Sequence, residues 1–274
     1  MYRLYSIEVQ KCVRRIEFKF IFLILLLITI GAHVIQCLEF YGSNFNNLRP
    51  AKDMNFLVGN YVASYFSTLL VLTPLLSSFI YSDNFLTDRI RGILPLLSTR
   101  MKYTRIIGAK ASAVFTIAFV SFFTVLMLNI FLTFLAFPSE GGDDMFALPA
   151  YDIGIQRFDA TYAFDFLALN SPISYSVLHI ILISFFAGVV ALFSFAVMTL
   201  VTKNRYIIII GIFVFLIVLN LLFAFVGFFN LGWSEAFSPN NIGSEWIPFV
   251  WIIVLLISSL LIMIISSRKG EVMD

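Results

Sequence analysis

Six long apolar runs dominate the sequence, and none of them contains an Asp, Glu, Lys or Arg residue. They cover residues 20–38, 56–82, 111–137, 173–202, 206–229 and 247–267. A helix needs about 20 apolar residues to cross a bilayer, and its backbone groups then find their hydrogen-bond partners within the helix itself. The six runs therefore predict an all-α integral membrane protein with six transmembrane helices.

The segments between the runs leave no room for a soluble domain. Only 12% of the 274 residues are charged, against about 25% in soluble domains. The longest segment outside the runs, residues 138–172, is acidic but also carries Phe146, Tyr151, Phe158 and Phe164. Because flexible linkers are poor in aromatic residues, part of this segment is expected to pack on the outer membrane face. Residues 1–274 are therefore interpreted as one transmembrane domain.

The cations divide unevenly between the two sides that six spans create. The side of the N-terminus holds fifteen of them: Arg3, Lys11, Arg14, Arg15, Lys19, Arg89, Arg91, Arg100, Lys102, Arg105, Lys110, Lys203, Arg205, Arg268 and Lys269. The other side holds three: Arg49, Lys52 and Arg157. Because short cytoplasmic loops are enriched in cations, both termini and residues 83–110 are predicted to be cytoplasmic and residues 138–172 extracellular. This favours a multi-pass protein of a bacterial cytoplasmic membrane.

The leader, residues 1–19, alternates apolar and charged residues at helical spacing, with Leu4, Ile7, Arg15 and Phe18 among them. A basic helix with an apolar face lies well in the headgroup layer of a membrane. The leader is predicted to be such an amphipathic interface helix, and an ordinary cytoplasmic tail is the alternative.

The runs offer little chemistry. No HExxH, GxSxG, CxxC or phosphate-binding G-x-x-x-x-G-K-[ST] motif occurs. We therefore expect no catalytic residue, cofactor site or metal site in this chain, and no nucleic-acid partner. Ion-driven carriers keep an ionisable residue within the membrane, whereas the runs contain only His33 and His179, each near an outer end. These are expected to be hydrogen-bonded interfacial histidines, which disfavours a secondary carrier.

Small polar residues gather on one face of the second run. Asn60, Ser64 and Ser67 recur at helical spacing, and Thr68 lies at the edge of that face. Such a face lines a transport pathway or packs against another helix, and both interpretations remain open. Asn220 in the fifth run is a further pathway candidate, although a lone amide also joins helices, as we expect of Asn129.

A charged loop, DRIRGILPLLSTRMKYTRIIGAK, connects the second and third runs. This loop, the basic leader and the six runs together resemble the ABC-2 permeases, the membrane subunits of type-2 ABC exporters. The matching positions are Asp88, Gly92, Leu96, Leu97, Arg100, Gly108 and Lys110. Ile93 and Thr99 depart from the family pattern, in which threonine and proline are frequent at these places.

The resemblance implies a mechanism and partners. In ABC-2 permeases this loop is a coupling helix that docks on a separate ATP-binding cassette subunit, which holds the ATP and Mg²⁺. By resemblance, the docking residues are Asp88, Arg89, Arg91, Gly92, Leu96, Leu97 and Arg100. A full exporter pairs two ATPase subunits with two permeases, identical or homologous, whose second and fifth spans line the route.

The cargo is indicated only by composition, since 32 of the residues are Phe. Aromatic-rich spans favour an amphipathic or hydrophobic cargo such as a peptide, an antibiotic or a lipid-like molecule. The alternative function is a membrane scaffold or immunity protein that transports nothing and acts by binding. A scaffold, however, has no need of a basic hairpin between its second and third spans.

Overall fold

A computed structural model describes residues 2–43, 50–57, 62–99, 101–139, 161–201, 204–239 and 243–271. Its helices are α1 Tyr2–Arg14, α2 Ile16–Glu39, α3 Ala63–Tyr81, α4 Asn84–Ile90, α5 Ile93–Ser98, α6 Tyr103–Ala136, α7 Asp165–Asn170, α8 Pro172–Leu200, α9 Arg205–Phe225, α10 Trp233–Ala236 and α11 Ile247–Glu271. Among these residues, six helices are long and apolar enough to cross a membrane: α2, α3 with its continuation into α4, α6, α8, α9 and α11. The prediction of an all-helical protein with six such helices is confirmed for the described part of the chain.

Two of the long helices begin before the apolar runs that predicted them. Helix α6 begins at Tyr103, eight residues before the predicted 111, and so contains Arg105 and Lys110. Helix α2 likewise begins at Ile16 and takes in Glu17 and Lys19. Charged residues end an apolar run but have good helix propensity. The loop predicted at residues 83–110 therefore ends at 102, and its last eight residues are helical.

Helix α8 forms the centre of the bundle and packs against α3, α6 and α11. Its close packing depends on small residues, because Ser184, Ala187, Gly188 and Ala191 are all buried. A Cβ atom on Gly188 would lie 2.9 Å from the Phe115 ring of α6, which is closer than side chains pack. Small residues thus let α6 and α8 approach each other, as is common between helices in membranes.

The bundle has two chemically different ends. One end, which we call the basic end, carries α1, α4 and the start of α9, where Arg15 and Arg205 both contact Asp83 at 2.7 Å. At the opposite end the Asn55 side chain donates a 2.9 Å hydrogen bond to Ser176. Tyr175 at that end also donates to the Pro239 carbonyl. The polar contacts at both ends join segments that are distant in sequence.

The segment after α9 folds back into the bundle. Trp233 is fully buried, stacks on Phe186 and donates a 3.0 Å hydrogen bond from its indole to the Leu216 carbonyl. Trp246, in contrast, is 74% exposed. Helix α9 ends at Phe225, four residues before the apolar run does, and the chain after it turns back toward α8.

The two histidines are more enclosed than the sequence predicted. His33 has its Nε2 atom 3.5 Å from the Cys37 sulfur. His179 is buried against Tyr175 and Phe164, and neither of its ring nitrogens has a hydrogen-bond partner among the described residues. The expectation of a hydrogen-bonded interfacial histidine therefore fails for His179. The contact with Phe164 shows that the residue before α7 packs on the bundle, whereas packing of residues 138–172 on the outer membrane face stays a prediction.

Asn129 joins helices, as predicted. Its Oδ1 atom accepts a 2.9 Å bond from the Phe56 amide, and its Nδ2 atom donates to the Thr29 carbonyl at 3.3 Å.

Replacing Asn129 with alanine should destabilise the bundle by about 1–3 kcal/mol, because the buried Phe56 amide loses its acceptor. The matched control is Thr124→Ala, since the exposed Thr124 hydroxyl bonds only to carbonyls of its own helix. Equal melting temperatures of the two variants in detergent would contradict this role.

Candidate functional site

Lys110 lies at the centre of a buried group of charges at the basic end. Its side chain is fully buried within α6. The Nζ atom contacts the Asp88 carboxylate of α4 at 2.5 Å and the Glu8 carboxylate of α1 at 3.2 Å. A single ammonium group therefore connects the leader helix, the hairpin that follows α3 and the third span.

Three further side chains donate hydrogen bonds to the Glu8 carboxylate or contact it. The Tyr81 hydroxyl donates to it at 2.8 Å, Lys11 contacts it at 3.1 Å, and the Asn84 amide donates at 3.5 Å. We call Glu8, Lys11, Tyr81, Asp88 and Lys110 the anchor cluster. Its two carboxylates balance its two cations, of which Lys110 is fully buried and Lys11 is 44% exposed at the edge of the cluster. Pairing of this kind lowers the cost of holding the buried charges away from water.

A second group of charges lies beside the anchor cluster. Asp83 is held between Arg15 at the start of α2 and Arg205 at the start of α9, each at 2.7 Å. The Arg205 guanidinium is also 3.6 Å from Glu17, and the Arg15 guanidinium lies 4.8 Å from the centre of the Tyr81 ring. These contacts bring the first and fifth spans to the same point as the hairpin.

Buried ion pairs of this kind fix geometry more than they add stability. Taking charges out of water costs several kcal/mol per ion, and the mutual attraction repays this only when the geometry is good. Once all partners are present, however, removing any one leaves an uncompensated buried charge. The anchor cluster therefore penalises every arrangement in which α1, α4 and α6 move apart.

Cys12 lies where α1 packs against the bundle, so its exposure depends on that contact. Its Sγ atom lies 3.7 Å from the Ile80 carbonyl on the buried face of α1. Burial raises the pKa of the Cys12 thiol from its ordinary value of 9.0 to about 12. The thiol is therefore neutral at physiological pH and enclosed, and both properties suppress alkylation, which requires the thiolate.

The hairpin α4–α5 has two contrasting faces. Its inner side carries Phe85, Leu86 and Leu94, which are buried in the bundle together with Asp88. Its outer side exposes Ile90 and Leu96, at 76% and 69%, with Arg89 and Arg91 beside them. Gly92 forms the turn with φ +68°, a conformation that glycine adopts without the Cβ penalty.

The predicted docking residues therefore separate into different environments. Arg89, Arg91, Gly92 and Leu96 are exposed, Leu97 is half-buried, and Asp88 points inward to Lys110. Arg100 lies outside the described residues. The prediction that Lys110 is a loop cation is wrong, because the residue belongs to α6 and is buried.

Sequence reasoning missed Glu8 and Lys110 as a pair. The signal was present: Glu8 is the first acidic residue of a basic leader, and Lys110 occurs within an otherwise apolar helical stretch. Glu8 and Lys110 are 102 positions apart, and no sequence periodicity indicates a contact over that separation. The third span therefore does contain a buried charge, Lys110, which is paired with Glu8 and Asp88 at the basic end.

The polar face of α3 divides into two halves. Ser64, Ser67 and Thr68 are exposed, and the Ser67 and Thr68 hydroxyls donate to carbonyls of their own helix at 2.9 and 2.8 Å. Farther along the same face, Ser78 is buried, with its Oγ atom 2.6 Å from that of Ser194 in α8. The inner half therefore packs against a helix, and the outer half remains accessible. Asn60 lies outside the described residues.

Asn220 is occupied by a contact within the chain. Its Nδ2 atom donates to the Ser234 hydroxyl at 2.9 Å, and its Oδ1 atom accepts from the Ser234 amide at 3.2 Å. A Cβ atom on Gly232 would approach this Oδ1 to 2.6 Å. The side chain thus holds the segment around α10 against α9.

In comparisons with protein-family models, curated proteins and solved structures, no match to this chain was found.

The anchor cluster predicts a large effect of removing its central cation. Lys110→Met leaves Glu8 and Asp88 buried without their shared partner and should destabilise the protein by about 3–5 kcal/mol. The same change should make Cys12 open to alkylation by iodoacetamide, because α1 loses its contact with α6. A melting curve and the alkylation rate measure both effects.

Arg105→Met is the control for this experiment, since Arg105 is an exposed cation on the same helix. The triple variant Glu8→Gln, Asp88→Asn, Lys110→Met removes all three charges and should recover part of the lost stability. An unchanged melting temperature and an unreactive Cys12 in Lys110→Met would show that the cluster does not hold α1.

Proposed function

We propose that this chain is the membrane subunit of an ATP-driven exporter of the ABC-2 type, with its basic end in the cytoplasm. A separate ATP-binding cassette subunit supplies the nucleotide hydrolysis, and a second copy or homologue of this chain completes the pathway. The cargo is an amphipathic or hydrophobic molecule, such as a peptide, an antibiotic or a lipid-like compound.

The observation that carries this proposal is the two-faced hairpin α4–α5. Exposed Ile90 and Leu96 beside two arginines form a small apolar and basic surface that a monomer gains nothing by exposing. Interfaces between proteins combine apolar anchors with a charged rim, and arginine is common among the anchors. The tip of the hairpin has the composition of a docking surface.

The inner side of the same hairpin supports a role in transmitting motion. Asp88 ties α4 to Lys110 of α6, and the adjacent Asp83 is tied to Arg15 and Arg205. A force applied at the tip therefore reaches the first, third and fifth spans through short ion pairs. Rigid-body rotation is a common form of such transitions, and it is driven when nucleotide binds the two states with different affinity.

The surfaces of α3 and α9 support a route beside these two helices. The outer half of α3 exposes Ser64, Ser67 and Thr68, while most of the α9 side chains are not buried by the described part of the chain. Helices α3 and α9 pack together, with Phe79 and Tyr206 in ring contact. A mildly polar strip beside an apolar helix suits an amphipathic cargo between two permeases.

Placing a negative charge at the tip of the hairpin tests whether the ATPase subunit docks there. Arg91→Glu and Ile90→Asp should each reduce co-purification of the ATPase subunit at least tenfold in 150 mM salt, because the first changes a rim charge and the second desolvates a carboxylate at the contact. The measurement is the molar ratio of ATPase to this chain after extraction in mild detergent, together with ATP hydrolysis by the complex.

Lys19→Glu reverses an exposed cation near the start of α2 and serves as the control. The isolated chain should hydrolyse no ATP. An unchanged ratio in both hairpin variants would remove the docking role, and the absence of any ATPase in the wild-type complex would favour the scaffold interpretation.

Cysteine substitutions test the route. Ser64→Cys, Ser67→Cys and Thr68→Cys should react with a small polar thiol reagent in the assembled complex, and the reaction rates should change when nucleotide is bound. Leu69→Cys and Leu70→Cys are the controls, because both positions are buried in the bundle. If the three exposed positions stay unreactive in every nucleotide state, the strip is a helix contact and the route lies elsewhere.

A further inference from the structure

A groove of about 580 Å³ opens between α6, α8 and α11 on the side of α6 away from the anchor cluster. Its walls include Ile107, Phe115, Phe185, Leu192, Leu260 and Met263. The volume lies in the range of small-molecule sites, which are about 300–1,000 Å³. None of the predicted coupling or pathway residues that the structure describes lines it, so the groove is separate from the described part of the proposed transport machinery.

The walls of the groove carry four hydroxyl groups, and three of them donate their proton within their own helix. Ser112 donates to the Ala109 carbonyl at 3.0 Å, Thr116 to the Ser112 carbonyl at 2.8 Å, and Ser267 to the Ile264 carbonyl at 2.8 Å. Each of these three hydroxyls is thus satisfied by its own helix. The walls therefore behave as an apolar surface, which suits a hydrocarbon chain.

The length and position of the groove fit one leaflet of a bilayer. On α6 it extends from Thr104 to Thr116, which is about 18 Å at 1.5 Å per residue. The hydrocarbon core of a bilayer is about 30 Å thick, so one leaflet occupies about 15 Å. The groove starts at the basic end, beside the first turn of α6, and ends near the middle of the bundle.

The mouth of the groove is positively charged. Lys102 and Arg105 flank Thr104 in sequence, Arg268 follows Ser267, and all three cations are exposed. Within residues 99–139 and 246–271 the sequence has one acidic residue, Glu271, which lies at the C-terminal end of α11 three positions after Arg268. The N-terminus of α6 adds the positive end of a 34-residue helix dipole. A phosphate group at this mouth would meet cations, with an apolar groove leading from it.

We propose that this groove binds an acyl chain of an anionic phospholipid from the leaflet at the basic end, with the lipid phosphate held by Lys102, Arg105 and Arg268. The charge at the mouth and the apolar walls together select this occupant over an apolar peptide or a neutral lipid. Anionic lipids concentrate at cytoplasmic leaflets and are attracted by basic residues near the surface. The site does not depend on the exporter assignment.

The experiment uses the full chain in nanodiscs that contain phosphatidylglycerol with a photoactivatable diazirine in one acyl chain. Labelling should map to residues 104–116 and 256–267, and phosphatidylcholine with the same chain should label this region at least tenfold less. Equal labelling by the two lipids would overturn the proposal. Glycerol phosphate, which has the head group without chains, should compete poorly; full competition by it would reduce the site to an anion site and overturn the acyl-chain assignment.

Thr116→Phe fills the groove and should lower phosphatidylglycerol labelling at least tenfold. Thr124→Phe is the matched control, since Thr124 is an exposed hydroxyl two turns farther along α6 and also bonds to its own helix. Equal labelling of the two variants would overturn the proposal. If Thr116→Phe fails to fold, the labelled positions on the wild-type chain test the proposal by themselves. Cross-links between the grooves of two chains, in place of lipid labelling, would overturn it and assign the surface to a second copy.

Discussion

The Lys110 ammonium group must keep two carboxylates beside it, because a buried cation without partners is far costlier than a paired one. Those carboxylates come from Glu8 in the leader helix and Asp88 in the hairpin after α3. Once these three elements meet, the neighbouring Asp83 lies where Arg15 and Arg205 can reach it. The arrangement of the basic end follows from this one requirement of charge balance.

The need to pair the Lys110 charge fixes the position of the hairpin α4–α5 relative to α6. A hairpin held only by apolar packing could slide, whereas one tied by a buried ion pair has few alternative positions. Its tip meanwhile exposes Ile90, Leu96 and two arginines. A surface suited to docking, joined rigidly to several spans, is what an ATPase-driven membrane subunit requires, and it is the physical basis of the function we propose. The lipid groove lies on the other side of α6 and depends on none of this.

The sequence predicted the six spans because charge-free runs of that length have few other outcomes. It misplaced the start of α6, since Arg105 and Lys110 ended the apolar run although both residues favour helix. It also missed the inward roles of Glu8 and Asp88, because a contact across 102 positions leaves no periodicity to detect. The burial of Trp233 likewise depends on the fold, because the segment after α9 returns to the bundle.

Hydrogen exchange of the leader and the hairpin in the intact protein tests the central claim most directly. If the anchor cluster unites α1 and α4 with α6, the amides of residues 6–14 and 87–90 should exchange slowly in the wild type, with closely similar opening free energies. Both should lose protection together in Lys110→Met. Fast exchange of α1 beside a protected α4 in the wild type would contradict the account, because it would show that the leader moves independently of the hairpin.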